Sequence, residues 1–150
     1  MTLVVDASVA VKWFVKERGR EQALGALDAS ERHAPDLVVA EVGNVAWKMA
    51  IRREVTGEQA RFICASVRRY FAALHRGETL VVCAIEIALQ LRRPVYDCLY
   101  LACARRAGTR LVTADEKLLV VLEGTTLASL AVHIDAFIDP LRADRTGKAE

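Results

Sequence analysis

Four carboxylates of this 150-residue chain could share one chemistry. Asp6 closes the β-branched run Thr2–Val5, and Asp115 comes just after Leu111-Val112-Thr113. In a parallel sheet both would stand at the carboxyl ends of strands, the rim where open α/β sheets hold their ligands. Glu41 has Val38 three residues before it and Leu37 and Val45 four residues to either side, so a helix there turns its carboxylate onto the apolar stripe. Asp97 precedes Tyr100, Leu101 and Ala104 by three, four and seven residues, which sets it on the inward face of another helix.

An inward carboxylate left charged and alone costs several kcal/mol or takes up a proton. Lys48, two turns beyond Glu41 on nearly the same face, is an available partner, and Asp6, Asp97 and Asp115 would each also serve as a helix N-cap. If the four acids converge, their repulsion demands positive charge, which a divalent ion supplies. Ligands that are all oxygen select a hard ion, Mg²⁺ or Mn²⁺, held through a few carboxylates and several waters. His33, His75 and His133 are scattered without ligand spacing, which argues against zinc and leaves a serine or cysteine nucleophile no obvious base. Hydrolysis by metal-activated water remains.

The elements that must position these acids follow in order along the chain. The strand Thr2–Val5 leads into a helix over Ala7 to Val15, and a second helix is expected from Arg20 to Ser30. His33-Ala34-Pro35-Asp36 is a break with room for a short strand before the Glu41 helix, which runs from Leu37 to about Arg53. Thr56 with Gln59 reads as a capping box opening a helix that ends near His75-Arg76-Gly77. Leu80 to Cys83 is expected as a brief strand or extended lead-in to a helix over Ile85 to Leu91, which stops before Pro94. Asp97 to about Ala107 is helical and closed by Gly108; Arg110 to Thr113 is a strand, Asp115 to Leu122 a short helix, and Ala131 to Ile134 the last strand. Alternating strands and helices predict an α/β fold with a parallel sheet. Gly43 interrupts the Glu41 helix, with close helix packing as the expected reason.

Hydrophobic residues at 53% and charged residues at 27% exclude a disordered chain. The length suits one core, so we expect a single domain over residues 1–141 and a polar tail over 142–150, flexible or held by a partner. Cys64, Cys83, Cys98 and Cys103 lie in apolar stretches without Cys-x-x-Cys spacing, which fits reduced core thiols. With no basic leader and no apolar run long enough to span a bilayer, a cytoplasmic location is expected. Net charge is only +2, yet Arg52-Arg53, Arg68-Arg69, Arg92-Arg93 and Arg105-Arg106 are doubled, suiting either solvated helix ends or contacts to phosphates.

The segments Val4-Val5-Asp6-Ala7-Ser8, Glu41-Val42-Gly43-Asn44-Val45, Tyr96-Asp97-Cys98-Leu99-Tyr100-Leu101-Ala102 and Val112-Thr113-Ala114-Asp115-Glu116-Lys117-Leu118 together resemble a PIN domain of the VapC toxin group. The resemblance runs in order from Leu3 to about Phe137. It implies a three-layer α/β/α sandwich around a short central parallel sheet. It also implies an acidic quartet of Asp6, Glu41, Asp97 and Asp115 around Mg²⁺ or Mn²⁺, supported by Ser8, Asn44 and Thr113. The activity implied is that of an endoribonuclease toxin acting on transfer or ribosomal RNA, as a homodimer with a composite basic groove, inhibited by a VapB-type antitoxin that covers the active site. Arg92, Arg93 and Arg110 are candidates for the groove.

Two other readings stay open at this stage. A phosphatase with Asp6 as nucleophile would want Asp-x-Asp after the first strand, and position 8 is Ser. A catalytically silent PIN-like module that binds a partner or regulates it would keep the fold without the reaction.

Overall fold

The computed structural model describes residues 1–29 and 31–137. Its centre is β1 (Thr2–Val5), whose Leu3, Val4 and Val5 are buried, as expected of a strand with helices over both faces. Beside it lie β2 (Glu31–Pro35) and β4 (Leu111–Thr113), with β3 (Ala73–His75) and β5 (Ala131–His133) outermost. All pairings are parallel, in the order β3-β2-β1-β4-β5.

This order determines where a ligand can sit. The chain moves from β1 through β2 to β3 towards one edge, then returns across β1 to lay down β4 and β5 on the other side. Right-handed crossovers therefore put α1 (Ala7–Ala10), α2 (Arg20–Ala29), α3 (Leu37–Ile51) and α4 (Gly57–Ser66) on one face. They put α5 (Gly77–Leu91), α6 (Val95–Ala107) and α7 (Glu116–Leu122) on the other. The result is the expected α/β/α sandwich, with its crevice at the carboxyl ends of β1 and β4, where the direction of winding reverses. Helix α6 crosses β1 and β2 beneath α5, which is why Cys98 to Ala104 are buried almost all round.

Several local expectations hold. Thr56 Oγ1 accepts from Gln59 N at 3.0 Å while Gln59 Oε1 accepts from Thr56 N at 2.8 Å, forming the capping box. Gly108, at φ 63°, closes α6 in the left-handed conformation that glycine adopts freely.

Others are corrected. The Thr56 helix ends at Ser66 and passes through a 3-10 turn (Val67–Tyr70), and of the residues expected at its end His75 closes β3 while Arg76 and Gly77 open α5. That strand exists through pairing with β2, His33 opposite Ala73 and Pro35 opposite His75, a tertiary interaction with no local signature. Leu80 to Cys83 is not a strand but part of α5, because Leu80, Ala84, Ile87 and Leu91 bury at helical spacing while the β-branched Val81 and Val82 face outward. Helix α6 opens at Val95 behind Pro94, so Asp97 lies in its first turn and is not its N-cap. The first helix is one α-turn followed by a 3-10 turn (Val11–Trp13).

Gly43 is not required by packing. A Cβ there would meet only Cys64 Sγ at 3.7 Å, an ordinary contact. All four cysteines are free; Cys98 and Cys103 are buried, whereas Cys64 is exposed, contrary to the core expected for it. No helix among the described residues is long and apolar enough to cross a membrane. Ser30 and the expected polar tail fall outside the described residues.

Candidate active site

Asp6 leaves β1 at the sheet's carboxyl edge and caps α1, its Oδ1 accepting from Val9 N at 3.3 Å and from Ser8 Oγ at 2.6 Å. The Thr113 hydroxyl donates to its Oδ2 from the neighbouring strand. Burial pushes the Asp6 carboxyl up from 3.8 to about 6, against the pull of the Ser8, Thr113 and Val9 donors and with a small further push from Asp115. The same polar seam continues sideways. Ser8 Oγ accepts from Ala114 N at 3.0 Å, and Thr113 Oγ1 accepts from Asp115 N at 3.0 Å, so strand ends β1 and β4 are fixed to each other. Asp115 in turn caps α7, accepting from Leu118 N at 3.1 Å. Sequence reasoning offered capping or chemistry for these two acids; the geometry gives both a cap and a place on the rim.

Glu41 projects from α3, half-buried, and its Oε2 accepts the Tyr100 hydroxyl of α6 at 2.5 Å. Burial raises the Glu41 carboxyl above its usual range; the Tyr100 bond opposes this and Asp97 adds to it. Burial raises the Tyr100 phenol too, with the Glu41 charge adding to it, so the phenol keeps its proton and donates. Lys48 stays exposed, and the Glu41 carboxylate has Tyr100 in its place. Asp97 Oδ2 is paired with Arg93 Nη2 at 3.0 Å, and the same Nη2 lies 4.0 Å from Asp115 Oδ2.

Asp6, Ser8, Glu41, Asp97, Tyr100 and Asp115 line one cavity of about 130 Å³. Four acids from two strand ends and from helices on opposite faces of the sheet thus meet at the switch point. Thr113 is buried behind Asp6, whereas Asn44 is exposed on α3 and does not line the cavity. Among the described residues, no three carboxylate, histidine or cysteine side chains are already gathered as a ligand set for an ion. Each carboxylate is held by a different donor: hydroxyls at Asp6, a phenol at Glu41, a guanidinium at Asp97 and a backbone amide at Asp115. The cavity nonetheless offers carboxylate and hydroxyl oxygens and no nitrogen or sulfur ligand, the donor chemistry of a hard divalent ion.

Sequence reasoning missed Tyr100, and it singled out Arg93 only as a groove candidate, not as a partner of the acids. Tyr100 was an ordinary core residue of α6 in the pattern; its position three residues after Asp97 on the inward face was the available signal. Arg93 stood among the arginine pairs, and only its spacing of four residues before Asp97 marks it as that acid's partner. The other pairs behave as solvated ends: Arg52 and Arg53 follow α3, Arg68 and Arg69 sit in the exposed turn after α4, and Arg105 and Arg106 end α6. The histidines are also less scattered than their spacing, since His33 Nδ1 and His75 Nε2 meet at 3.2 Å across β2 and β3.

Comparison with known proteins bears on the family and the fold. The model of the PIN domain family matches residues 3–122. Ribonuclease VapC3 of Pyrobaculum aerophilum is 36% identical over 121 residues, covering 79% of this chain and 92% of that protein. In fold, the crystal structure of PAE2754 from Pyrobaculum aerophilum superposes with a TM-score of 0.71 at 22% identity, over 95% of this chain and 90% of that one. A toxin-antitoxin complex from Klebsiella pneumoniae contains a chain that superposes with a TM-score of 0.63 at 16% identity, over 88% of this chain and 97% of that one. With a family model spanning both strand-end acids' segments and a relative matched over nearly its whole length, this chain belongs to the PIN-domain family and is a relative of the VapC ribonucleases.

Proposed function

We propose that the protein is a divalent-metal-dependent endoribonuclease and the toxin of a type II toxin–antitoxin pair. The observation that carries this is the convergence of Asp6, Glu41, Asp97 and Asp115 on one cavity at the sheet's switch point, in a chain related to a VapC ribonuclease. In this reading the four acids are the catalytic and metal-binding quartet for Mg²⁺ or Mn²⁺, and Ser8 and Thr113 are its supports. A bound ion would supply the charge that polarises the scissile phosphate and acidifies a water.

The chain's own residues do the rest. Ser8 and Thr113 clamp Asp6 so that both its oxygens are oriented before anything binds. Tyr100 fixes Glu41, and the cap at Asp115 fixes the fourth acid against β4. A carboxylate of this set aligns the attacking water in line with the leaving oxygen. Asn44, exposed on α3 and outside the cavity lining, would act on substrate rather than within the cavity.

The same reading extends to partners. On α5, Val82, Ile85 and Leu89 are exposed at three- and four-residue spacing, an apolar stripe that a second copy of the chain would cover in a homodimer. RNA, either transfer or ribosomal, is the substrate, and a VapB-type antitoxin is the inhibitor. Free cysteines and the lack of a membrane-crossing helix among the described residues fit a cytoplasmic toxin.

The test is cleavage of total cellular RNA by purified, antitoxin-free protein with Mg²⁺ or Mn²⁺, with EDTA, and with Asp6→Asn alongside. Discrete fragments that need both the ion and Asp6 are expected. Intact RNA from folded, metal-loaded protein would favour a catalytically silent PIN-like binding or regulatory module instead.

A further inference from the structure

Among the described residues, Arg93 is the one cation within ion-pair distance of any of the four acids. Its Nη2 bridges Asp97 on α6 and Asp115 at the end of β4, two acids otherwise brought together only by the fold. It answers the repulsion of the carboxylates with a single charge.

Yet the guanidinium is not satisfied by this pairing. Arg93 Nε is buried and has no hydrogen-bond partner. An arginine with a purely structural role normally uses its buried donors, since each one left unmade carries a desolvation cost. Nε together with an Nη forms the planar fork that matches two oxygens of a phosphate. The side chain is also 23% exposed, so it can be reached from solvent while its base is held.

The backbone around it is fixed. Arg92 closes α5 in the left-handed region at φ 52°, an unfavourable conformation for a residue with a Cβ, and Pro94 caps α6 directly after. Such strain persists where packing on both sides over-determines the chain, and here both flanking helices are packed on each other. The Arg93 Cα is therefore anchored, whereas its side chain is long and holds its close pair with Asp97 and its longer one with Asp115 in partly exposed surroundings.

We propose that Arg93 is the exchangeable cation of this site: it neutralises Asp97 and Asp115 while no divalent ion is bound, and is released to a phosphate oxygen of RNA when those carboxylates turn to the ion. The phosphate half rests on the nuclease reading above; the exchange half rests only on the geometry. Arg93 then keeps the empty site folded, competes with metal loading, and contributes a fork of donors to the bound phosphate.

The experiment compares wild type, Arg93→Gln and Arg93→Lys, each checked for folding by circular dichroism. Mn²⁺ binding is titrated without RNA by the electron paramagnetic resonance of free ion, and RNA cleavage is then measured at saturating Mn²⁺. Arg93→Gln should bind Mn²⁺ about threefold more tightly, as expected for loss of a partly exposed competing ion pair, yet cleave about 100-fold more slowly, as for loss of a transition-state donor. Arg93→Lys should bind Mn²⁺ as wild type does, because the charge remains, but recover little of the cleavage, because an ammonium cannot fork. Unchanged or weaker Mn²⁺ binding in Arg93→Gln overturns the exchange, and tighter binding with undiminished cleavage overturns the phosphate role. Wild type that binds Mn²⁺ but leaves RNA intact overturns the nuclease reading and the phosphate half with it, while the Mn²⁺ comparison still decides the exchange.

Discussion

Tyr100 donates its hydroxyl to Glu41 across the top of the sheet, joining helices that lie on opposite faces. This bond is the means by which a half-buried carboxylate is held without a cation, and it accounts for the absence of a Glu41–Lys48 pair. Tyr100→Phe keeps the ring and removes the donor. We expect it to destabilise the metal-free protein by about 1–3 kcal/mol, the cost of an unsatisfied acceptor next to a charge, read as a lower urea midpoint at unchanged slope. An unchanged midpoint would mean that water replaces the phenol at no cost.

The Asp6 carboxyl gives the metal-free protein a characteristic pH dependence. The folded chain holds this proton up to about pH 6, whereas the unfolded chain releases it near 3.8. Between those values the folded state binds the extra proton, so stability falls as pH rises. The contribution is fully present below about pH 4 and lost above about pH 6, a change of about 3 kcal/mol. In EDTA, Asp6→Asn should therefore be close to wild type at pH 4 and more stable than it at pH 7.5, as measured by denaturant unfolding at both. A difference that does not grow with pH contradicts the buried, proton-holding Asp6.

Gly43 costs α3 helix propensity without a packing reason. Gly43→Ala should raise stability by about 1 kcal/mol, seen as an increase in Tm of about 2–4 °C for a chain of this size. A fall in Tm would contradict the open space beside Gly43, where the added Cβ meets only Cys64 Sγ at an ordinary distance.

The apolar stripe on α5 makes the proposed homodimer testable by charge. Leu89 is 74% exposed, so Leu89→Glu costs the isolated chain little. If a second copy covers it, the variant should sediment as a monomer under conditions in which wild type is a dimer. Equal sedimentation of the two places any dimer contact elsewhere.

Much of this was legible in the sequence, and the limits have physical causes. The acids at Asp6 and Asp115 were readable because strand ends carry short β-branched runs, and Glu41 was readable because helical periodicity fixes a face. Strand β3 was not, since three residues held by pairing with β2 carry no pattern of their own. Val81 and Val82 misled because β-branched residues on an exposed helix face imitate a strand. The Arg93 pairing with Asp97 was within reach at four-residue spacing, but its second contact with Asp115 depends on the crossover from α6 to β4, which only the assembled fold supplies.

The central claim, that the four acids act together as a metal-dependent nuclease site, is tested most directly by titrating Mn²⁺ into wild type and Asp97→Asn while following single-turnover RNA cleavage in the same samples. Cleavage that rises in step with bound Mn²⁺ in wild type, and is lost in a folded Asp97→Asn protein, is the predicted result. Cleavage that persists in EDTA or survives in Asp97→Asn would contradict it.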